Sequence, residues 1–528
     1  MRRMVLWVLP LFISSVCKAE DITIRYKGTT AKVEQKVKDS IHVHVYGANV
    51  EIESQFKSRK LTLKLTGKSD DGQLVLKTAD KAEVKLDNLT LTSQEGAPLW
   101  LKNKKKVEVK AVKGTENTLT VTACKDTANH KGAVIWAKDK LLLSGKGTLN
   151  IVATGDGCRG IKTKKDVTIE ELTLNVTTSG NNLGEKPFGM GGFPMPDFGQ
   201  MPDSVQIPGF GQMPNFDQMP DFSKIPGFGQ MPDFSQIPGF GQMPDFSQMP
   251  GFGQMPDFNI PDSIKKLFPI FPDSLGGFPN FGGGFPNFGG GFAGKHKYYA
   301  SAKGIASKGK ITINSGNVTV RTSTPGAEGI EGKKGVVFNG GTIDIFSPDD
   351  AINSNATIEF NGANVMARSK GNDAVDANPE GGFFPPFGGD NGKKIEPAII
   401  IRGGTVYAWS QVGSPEEGLD SDMSPLALEG GTVFSVGGSI GEAPSVPTTE
   451  TAKQPTLLLC GLNITKDEPV SILNADGRQL HTLTVPFSFR GSASIVSCPG
   501  FKVGQTYTVK TKGYEKTFTL SGPFTIVR

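Results

Sequence analysis

Four stretches of this chain return oxygen-bearing side chains to the same place around a single apolar residue. They are "GAEGIEGKK" (326–334), "SPDDAINSN" (347–355), "SKGNDAVDAN" (369–378) and "SPEEGLDSD" (414–422), centred on Ile330, Ile352, Val375 and Leu419. Two positions before the apolar residue stand Glu328, Asp350, Asp373 and Glu417. Immediately after it stand Glu331, Asn353, Asp376 and Asp420, and three after it Lys333, Asn355, Asn378 and Asp422. Two earlier corners break the pattern: Ile161 is flanked by Arg159 and Lys162, and Ile305 by Lys303, Ala306 and Lys308.

Carboxylates about 5 Å apart repel by roughly 3 kcal/mol at an effective dielectric of 20, so a half-buried ladder of them needs a counter-ion. Calcium suits the spacing. It takes six to eight oxygens at about 2.4 Å, and an ion between rungs about 4.8 Å apart can draw ligands from above and below. Magnesium asks for tighter octahedral geometry, and softer metals ask for His or Cys, which these corners lack. Turn chemistry is the alternative, since Asp and Asn bond their own backbone and tolerate left-handed conformations. It accounts for Asn353 or Asp376 singly but not for Glu328, Glu331 and Glu417. Ca2+ is therefore the expected cofactor.

The elements that would position such a ladder recur along the chain. "NLTLTS" (88–93), "TLTVTA" (118–123), "TLNIVA" (148–153), "LTLNVT" (172–177), "NVTVRT" (317–322), "TIDIFS" (342–347), "NVMARS" (364–369), "TVYAWS" (405–410) and "TVFSVG" (432–437) alternate in polarity as half-buried strands do. A second line, including "ITINSG" (311–316) and "VVFNGG" (336–341), precedes many of them, and the period is about 22–25 residues. Two or three short strands with glycine corners and no helix cannot bury an apolar face alone, but stacked coils can. The expected fold is all-β: a right-handed parallel β-helix, a single-stranded solenoid, with a β-sandwich as the rival. Residues 20–185 would form its N-terminal coils and 298–444 its acidic C-terminal coils.

Residues 186–297 cycle the unit "MPDFSQIPGFGQ" and hold more than half of the chain's 33 phenylalanines. Proline and glycine at this density oppose both helix and sheet, so a long disordered insertion is expected. A small copy, "PEGGFFPPFGGDNG", interrupts a later coil at 379–392. Residues 455–528 change to strands joined by tight turns and are expected to form a small β domain or cap.

Residues 1–19 read as an export signal: Arg2 and Arg3, the apolar run 4–16, then Cys17-Lys18-Ala19. Secretion or cell-surface display follows, with a periplasmic protein or an outer-membrane lipoprotein acylated at Cys17 as alternatives. No other stretch is long and apolar enough to span a bilayer. Four cysteines would remain and allow three pairings; proximity favours Cys124 with Cys158 and Cys460 with Cys498, and buried free thiols are the alternative. The formal net charge is +5, with lysines crowded near 101–114. An exported chain without an aromatic-basic RNA signature makes nucleic acid a poor partner, and the lysines read as a solvated face that also protects strand edges. The five histidines show no triad or metal spacing.

"GKSDDGQLVL", "AEVKLDNLTLTS", "GDGCRGIKTKKDVTI", "AEGIEGKKGVVFNGGTIDIFSPDDAIN" and "NDAVDAN" together resemble secreted bacterial carbohydrate-binding, calcium-binding parallel β-helix proteins similar to polysaccharide (pectate) lyases. The likeness spans about 60–528 apart from the insertions. It implies several calcium ions in the acidic corners and binding to pectin-like or cellulose-like polysaccharide without established lyase activity. Carried over by residue, the ligands would be Glu328, Glu331, Asp349, Asp350, Asn353, Asp373, Asp376, Glu417 and Asp420, and Asp422 joins them from the corner alignment. Tyr407 and Trp409 are candidates for stacking on sugar rings. The favoured reading is a noncatalytic calcium-dependent carbohydrate binder. A calcium-dependent lyase using Arg321, Arg368 or Lys370 is one alternative, and a structural adhesin rod the other. Oligomeric state is not legible.

Overall fold

The computed structural model describes residues 20–124, 132–183, 301–379, 395–412, 415–422, 424–439 and 445–528. The expected export signal, the insertion at 186–297 and nearly all of the segment 379–392 lie outside the described residues. Every regular element among those described is a β-strand; there is no helix, and so none long and apolar enough to cross a membrane.

Three short strands make one turn of the chain, and each pairs in parallel with its counterpart in the next turn. The first ladder carries the corners. It runs through Leu99–Asn103, Ala133–Ala137, Arg159–Thr163, Ile305–Ser307, Ile330–Gly332, Ile352–Ser354 and Val375–Ala377. A second ladder runs from Val107–Ala111 through Val167–Ile169 and Ile311–Ile313 to Leu426–Leu428. A third runs from Glu116–Val121 through Thr173–Thr178 and Asn317–Thr322 to Thr432–Ser439. The recurring Thr/Val/Ile lines of the sequence are these strands.

Alternation decides which side chains go in. In the first ladder Ile161, Ile305, Ile330, Ile352 and Val375 are in register and fully buried, while the residue after each faces outward. Inside, Phe338 and Phe360 of the second ladder stack with ring centroids 5.1 Å apart. The residue before each corner isoleucine must be small. A Cβ at Gly304 or Gly329 would lie 2.5 or 2.6 Å from the carbonyl oxygen of the next rung.

Both ends of the ladders depart from the parallel pattern. Ile22–Lys27 with Thr30–Gln35, and Ile41–Tyr46 with Asn49–Ser54, are antiparallel hairpins laid on the first turn. At the other end Thr432–Ser439 pairs antiparallel with Phe489–Ser497. Pro469–Asn474, Gln479–Thr484, Thr506–Lys510 and Glu515–Thr519 add a four-stranded antiparallel sheet. An added antiparallel strand ends the ladder by giving the last edge a partner that cannot propagate another turn.

That last contact corrects two expectations. Trp409 is fully buried, packed with Phe434, Leu457, Leu459 and Val496 under the C-terminal strands, so it has no face to offer a sugar. Tyr407 stacks on it at 5.7 Å and shares a hydrogen bond with His481 Nε2. The expected Cys460–Cys498 disulfide is absent, and both are free thiols. Thr456–Ile464 and Phe489–Ser497 are antiparallel with Thr456 opposite Ser497, so Cys460 lies in the middle of the pair and Cys498 just beyond its end, roughly five residues or about 17 Å apart. A disulfide needs Cα atoms within about 7 Å. Cys124 and Cys158 are also unlinked, and burial pushes the Cys158 thiol up to about 12.

Candidate functional site: the acidic corner

The outward residue of each corner strand forms a column. Lys162, Ala306, Glu331, Asn353 and Asp376 are directly paired rung by rung, and Asp376 bridges in parallel to Asp420. Backbone hydrogen bonds place Lys303, Glu328, Asp350, Asp373 and Glu417 in a second column just before the apolar residues. The aligned corners of the sequence are thus stacked side chains.

The first acidic rung is already neutralised. Lys303 Nζ, itself buried, lies 2.6 Å from Glu328 Oε1 and 2.7 Å from Glu331 Oε1, and Lys333 Nζ lies 2.6 Å from Glu331. Burial alone would raise the Glu331 carboxyl, but Lys303 and Lys333 outweigh it and hold it at about 2. Burial raises the Glu328 carboxyl, with Glu331 and Asp349 adding to it against the pull of Lys303. Glu328 and Glu331 therefore pair with lysine ammonium groups, while Glu328 Oε2 is buried with no hydrogen-bond partner among the described residues. The Lys303 column was visible in the sequence; what was not is that its side chain reaches forward one rung.

The next rungs have no such relief. Asn353 stands between two carboxylates, its Nδ2 donating to Asp350 Oδ2 at 2.9 Å and Asp376 Oδ2 at 2.8 Å. Asn378 Nδ2 donates to the same Asp376 oxygen at 2.7 Å. Asp373 accepts from the Glu417 backbone N–H. Asp420 Oδ1 accepts from the Asp422 N–H at 2.8 Å and Ser445 Oγ at 3.2 Å, and Glu417 Oε2 from the Ser445 N–H at 2.8 Å. Asp349 accepts from Asn372 Nδ2 at 2.8 Å.

Asp350 Oδ1 and Asp376 Oδ1 are buried with no hydrogen-bond partner among the described residues. Burial, then Asp376 and Asp349, pushes the Asp350 carboxyl well above the carboxylate range. Burial, then Asp420 and Asp350, does the same to Asp373, and burial, then Asp420 and Asp422, lifts Asp376 to about 8. Asp422, at a left-handed φ of 50°, is raised by burial and by Asp420. Orphaned buried carboxylate oxygens on neighbouring rungs are the mark of a place for a hard cation. Among the described residues no three His, Cys, Asp or Glu side chains converge on one point as a ready-made metal cluster. The arrangement is linear, so any ion would draw on adjacent rungs and on amide oxygens as well.

Two of the three basic residues of the lyase alternative are engaged elsewhere, and Lys370 is exposed. Arg321 and Arg368, on the third ladder, both grip Asp344.

A family model for carbohydrate-binding domain-containing proteins matches residues 22–186 and 292–377, just under half of the chain. No curated protein matches. Among solved structures, a polysaccharide lyase-like protein from C. thermocellum, a gadolinium derivative, is similar at 16% identity and a TM-score of 0.37, over 68% of this chain and 94% of that one.

Proposed function

We propose that this chain is an exported, noncatalytic protein that binds polysaccharide with the help of calcium held at the acidic corner. In this reading its turns wind as a right-handed parallel β-helix, the hand that parallel crossover connections take almost without exception. One observation carries the calcium: Asp350 and Asp376 bury carboxylate oxygens that no donor among the described residues reaches, beside Asp373 and Asp420. Asp350, Asn353, Asp373, Asp376, Glu417, Asp420 and Asp422 would hold the ion, which supplies charge neutralisation and an open coordination position for a glycan oxygen. The carbohydrate-binding family model, which covers the turns on both sides of this corner's start, supports the ligand class. Of the three candidate bases, Arg321 and Arg368 are tied to Asp344, which favours binding over lysis, while Lys370 stands exposed and is the residue that the lyase alternative would use.

Binding of the mature protein to polygalacturonate and to a neutral β-glucan, each with calcium and with chelator, tests this. Chelator-sensitive retention on polygalacturonate without any unsaturated, ultraviolet-absorbing product is expected. Product formation would make the protein a lyase, and glycan binding indifferent to chelator would remove calcium from the function.

A further inference from the structure

The same sheet changes chemistry above the acidic corner. Its outward column reads Trp100, Trp136, Lys162, Ala306 and then Glu331, each paired with the next. Two residues along, a second outward column reads Lys102, Lys138, Lys164, Lys308 and Lys333. The backbone N–H of each of the last four bonds the carbonyl one rung back, at Leu101, Ala137, Thr163 and Ser307. Five lysines therefore stand one above another at about 4.8 Å per rung. A solvated edge needs no such register.

Where the outward column reaches Ala306, a methyl replaces the long side chains above and below it. The gap is a cavity of about 520 Å³ lined by Arg159, Lys162, Lys303, Lys308 and Lys333 against the single carboxylate of Glu331. The Thr163, Ser307 and Asn355 side chains complete its wall. Lys303 is shared between Glu328 and Glu331, and Lys333 pairs with Glu331, so the surplus positive charge of the hollow comes chiefly from Arg159 and Lys308 beside Lys162. Burial together with Arg159, Lys308 and Lys164 brings the Lys162 ammonium down to about 7, a cost that an anion placed there would remove. Next to the hollow, Trp136 meets Trp100 edge to face at 6.3 Å, and Lys102 Nζ lies 3.6 Å over the Trp100 ring. Trp100 is half-buried and keeps part of its surface outward.

We propose that this hollow is an anion subsite for an acidic polysaccharide, taking a carboxylate or sulfate substituent at Ala306 while neighbouring sugars lie along the lysine column toward Trp100. The proposal rests on the carbohydrate-binding reading and assigns the charged half of the recognition to a site that calcium does not occupy. An extended polyanion fits better than a small one because the lysines form a line, and a glycan fits better than a nucleic acid because the aromatic edge is confined to two rungs at one end. Polymer binding here is electrostatic and weakens with salt.

The test uses the mature full-length chain in chelator, so that any calcium-dependent binding is silent. Polygalacturonate, a sulfated dextran, neutral dextran, inorganic sulfate and duplex DNA are titrated against the wild type, Ala306→Glu, and Lys162→Gln with Lys308→Gln. Ala306→Glu fills the hollow and places a carboxylate among the cations, so it should keep or raise thermal stability while weakening both acidic glycans at least tenfold. The double Gln variant should weaken them similarly, neutral dextran should not bind, and calcium-dependent retention should survive in both variants. Unchanged glycan affinity in a folded Ala306→Glu protein would overturn the proposal. DNA bound as tightly as the glycans and lost in parallel would reduce the feature to a general polyanion strip, and inorganic sulfate matching the polymers would reduce it to a simple anion site; either result overturns the glycan assignment. Loss of chelator-sensitive binding with the hollow intact would instead count against calcium alone.

Discussion

Lys303 Nζ sits 2.7 Å from Glu331 Oε1 across one rung of the corner ladder, where the sheet's outer face turns from basic to acidic. Above this contact the outward positions are Lys162 and Ala306; below it they are Asn353, Asp376 and Asp420. The ammonium does at this rung what a metal ion would have to do further down.

Removing that ammonium should therefore be expensive. Lys303→Met leaves Glu328 and Glu331 buried with only Lys333 nearby, and breaking a buried pair from one side costs about 3–5 kcal/mol. Adding Glu328→Gln to Lys303→Met should recover most of the loss, because Glu331 keeps Lys333 and Glu328 is the carboxylate left unpaired. Chemical denaturation of the three proteins measures it; a loss below about 1 kcal/mol for Lys303→Met would mean the pair is solvated.

Asp350→Asn with Asp376→Asn should reverse sign with calcium. Asn keeps the size and removes the charge, so in chelator, where the wild type must hold Asp350, Asp373, Asp376 and Asp420 without a cation, the variant should melt several degrees higher. In calcium the wild type should overtake it, and the variant should bind fewer ions. Calorimetric scans in chelator and in calcium, with metal analysis after dialysis, read both arms. A wild type whose melting ignores chelator would leave turn formation as the reason for these residues.

The corner register was legible because the turn length hardly varies. Aligning Ile305, Ile330, Ile352 and Val375 by sequence reproduces the rungs of the ladder. What failed depended on contacts between distant segments. Tyr407 and Trp409 lie on the same outward face of one strand, as alternation expects, and it is the strands at 457–496 that cover that face and bury Trp409. Cys460 and Cys498 both sit in or beside strands, as expected, but only the antiparallel register shows one in the middle of the pair and the other beyond its end. The lysines near 101–114 read as a solvated face, because a column of Lys102, Lys138, Lys164, Lys308 and Lys333 is spread over more than two hundred residues of sequence.

The break in that numbering yields a further expectation. Thr173–Thr178 pairs residue for residue with Asn317–Thr322, and the Ala302 N–H bonds Asn182 Oδ1 at 3.1 Å, so the described chain on either side meets directly. Replacing residues 186–297 by a short Gly/Ser linker should leave the melting temperature within a few degrees. Loss of cooperative unfolding would assign that segment a part in the core.

Lys162 gives the anion subsite a pH signature. Its folded-state value, about 7 against an ordinary 10.5, means that the folded protein is without this charge between those values while the unfolded chain carries it. The group therefore penalises the folded state fully below about 7, and the penalty fades as pH rises toward 10.5. A bound sulfate group favours the ammonium and offsets Arg159, Lys164 and Lys308, so binding takes up a proton above pH 7 and none well below it. The other charged groups facing the hollow move less: Lys303, whose pKa is raised, and Glu331, held at about 2, keep their charges between pH 6 and 9. Affinity for sulfated dextran in chelator should thus fall as pH rises from 7 to 9, by up to about tenfold per unit, and level off below 7. A sulfated ligand keeps its own charge throughout, so the slope belongs to the protein. Lys162→Gln should flatten it, and a slope that persists in that variant would place the titrating group elsewhere.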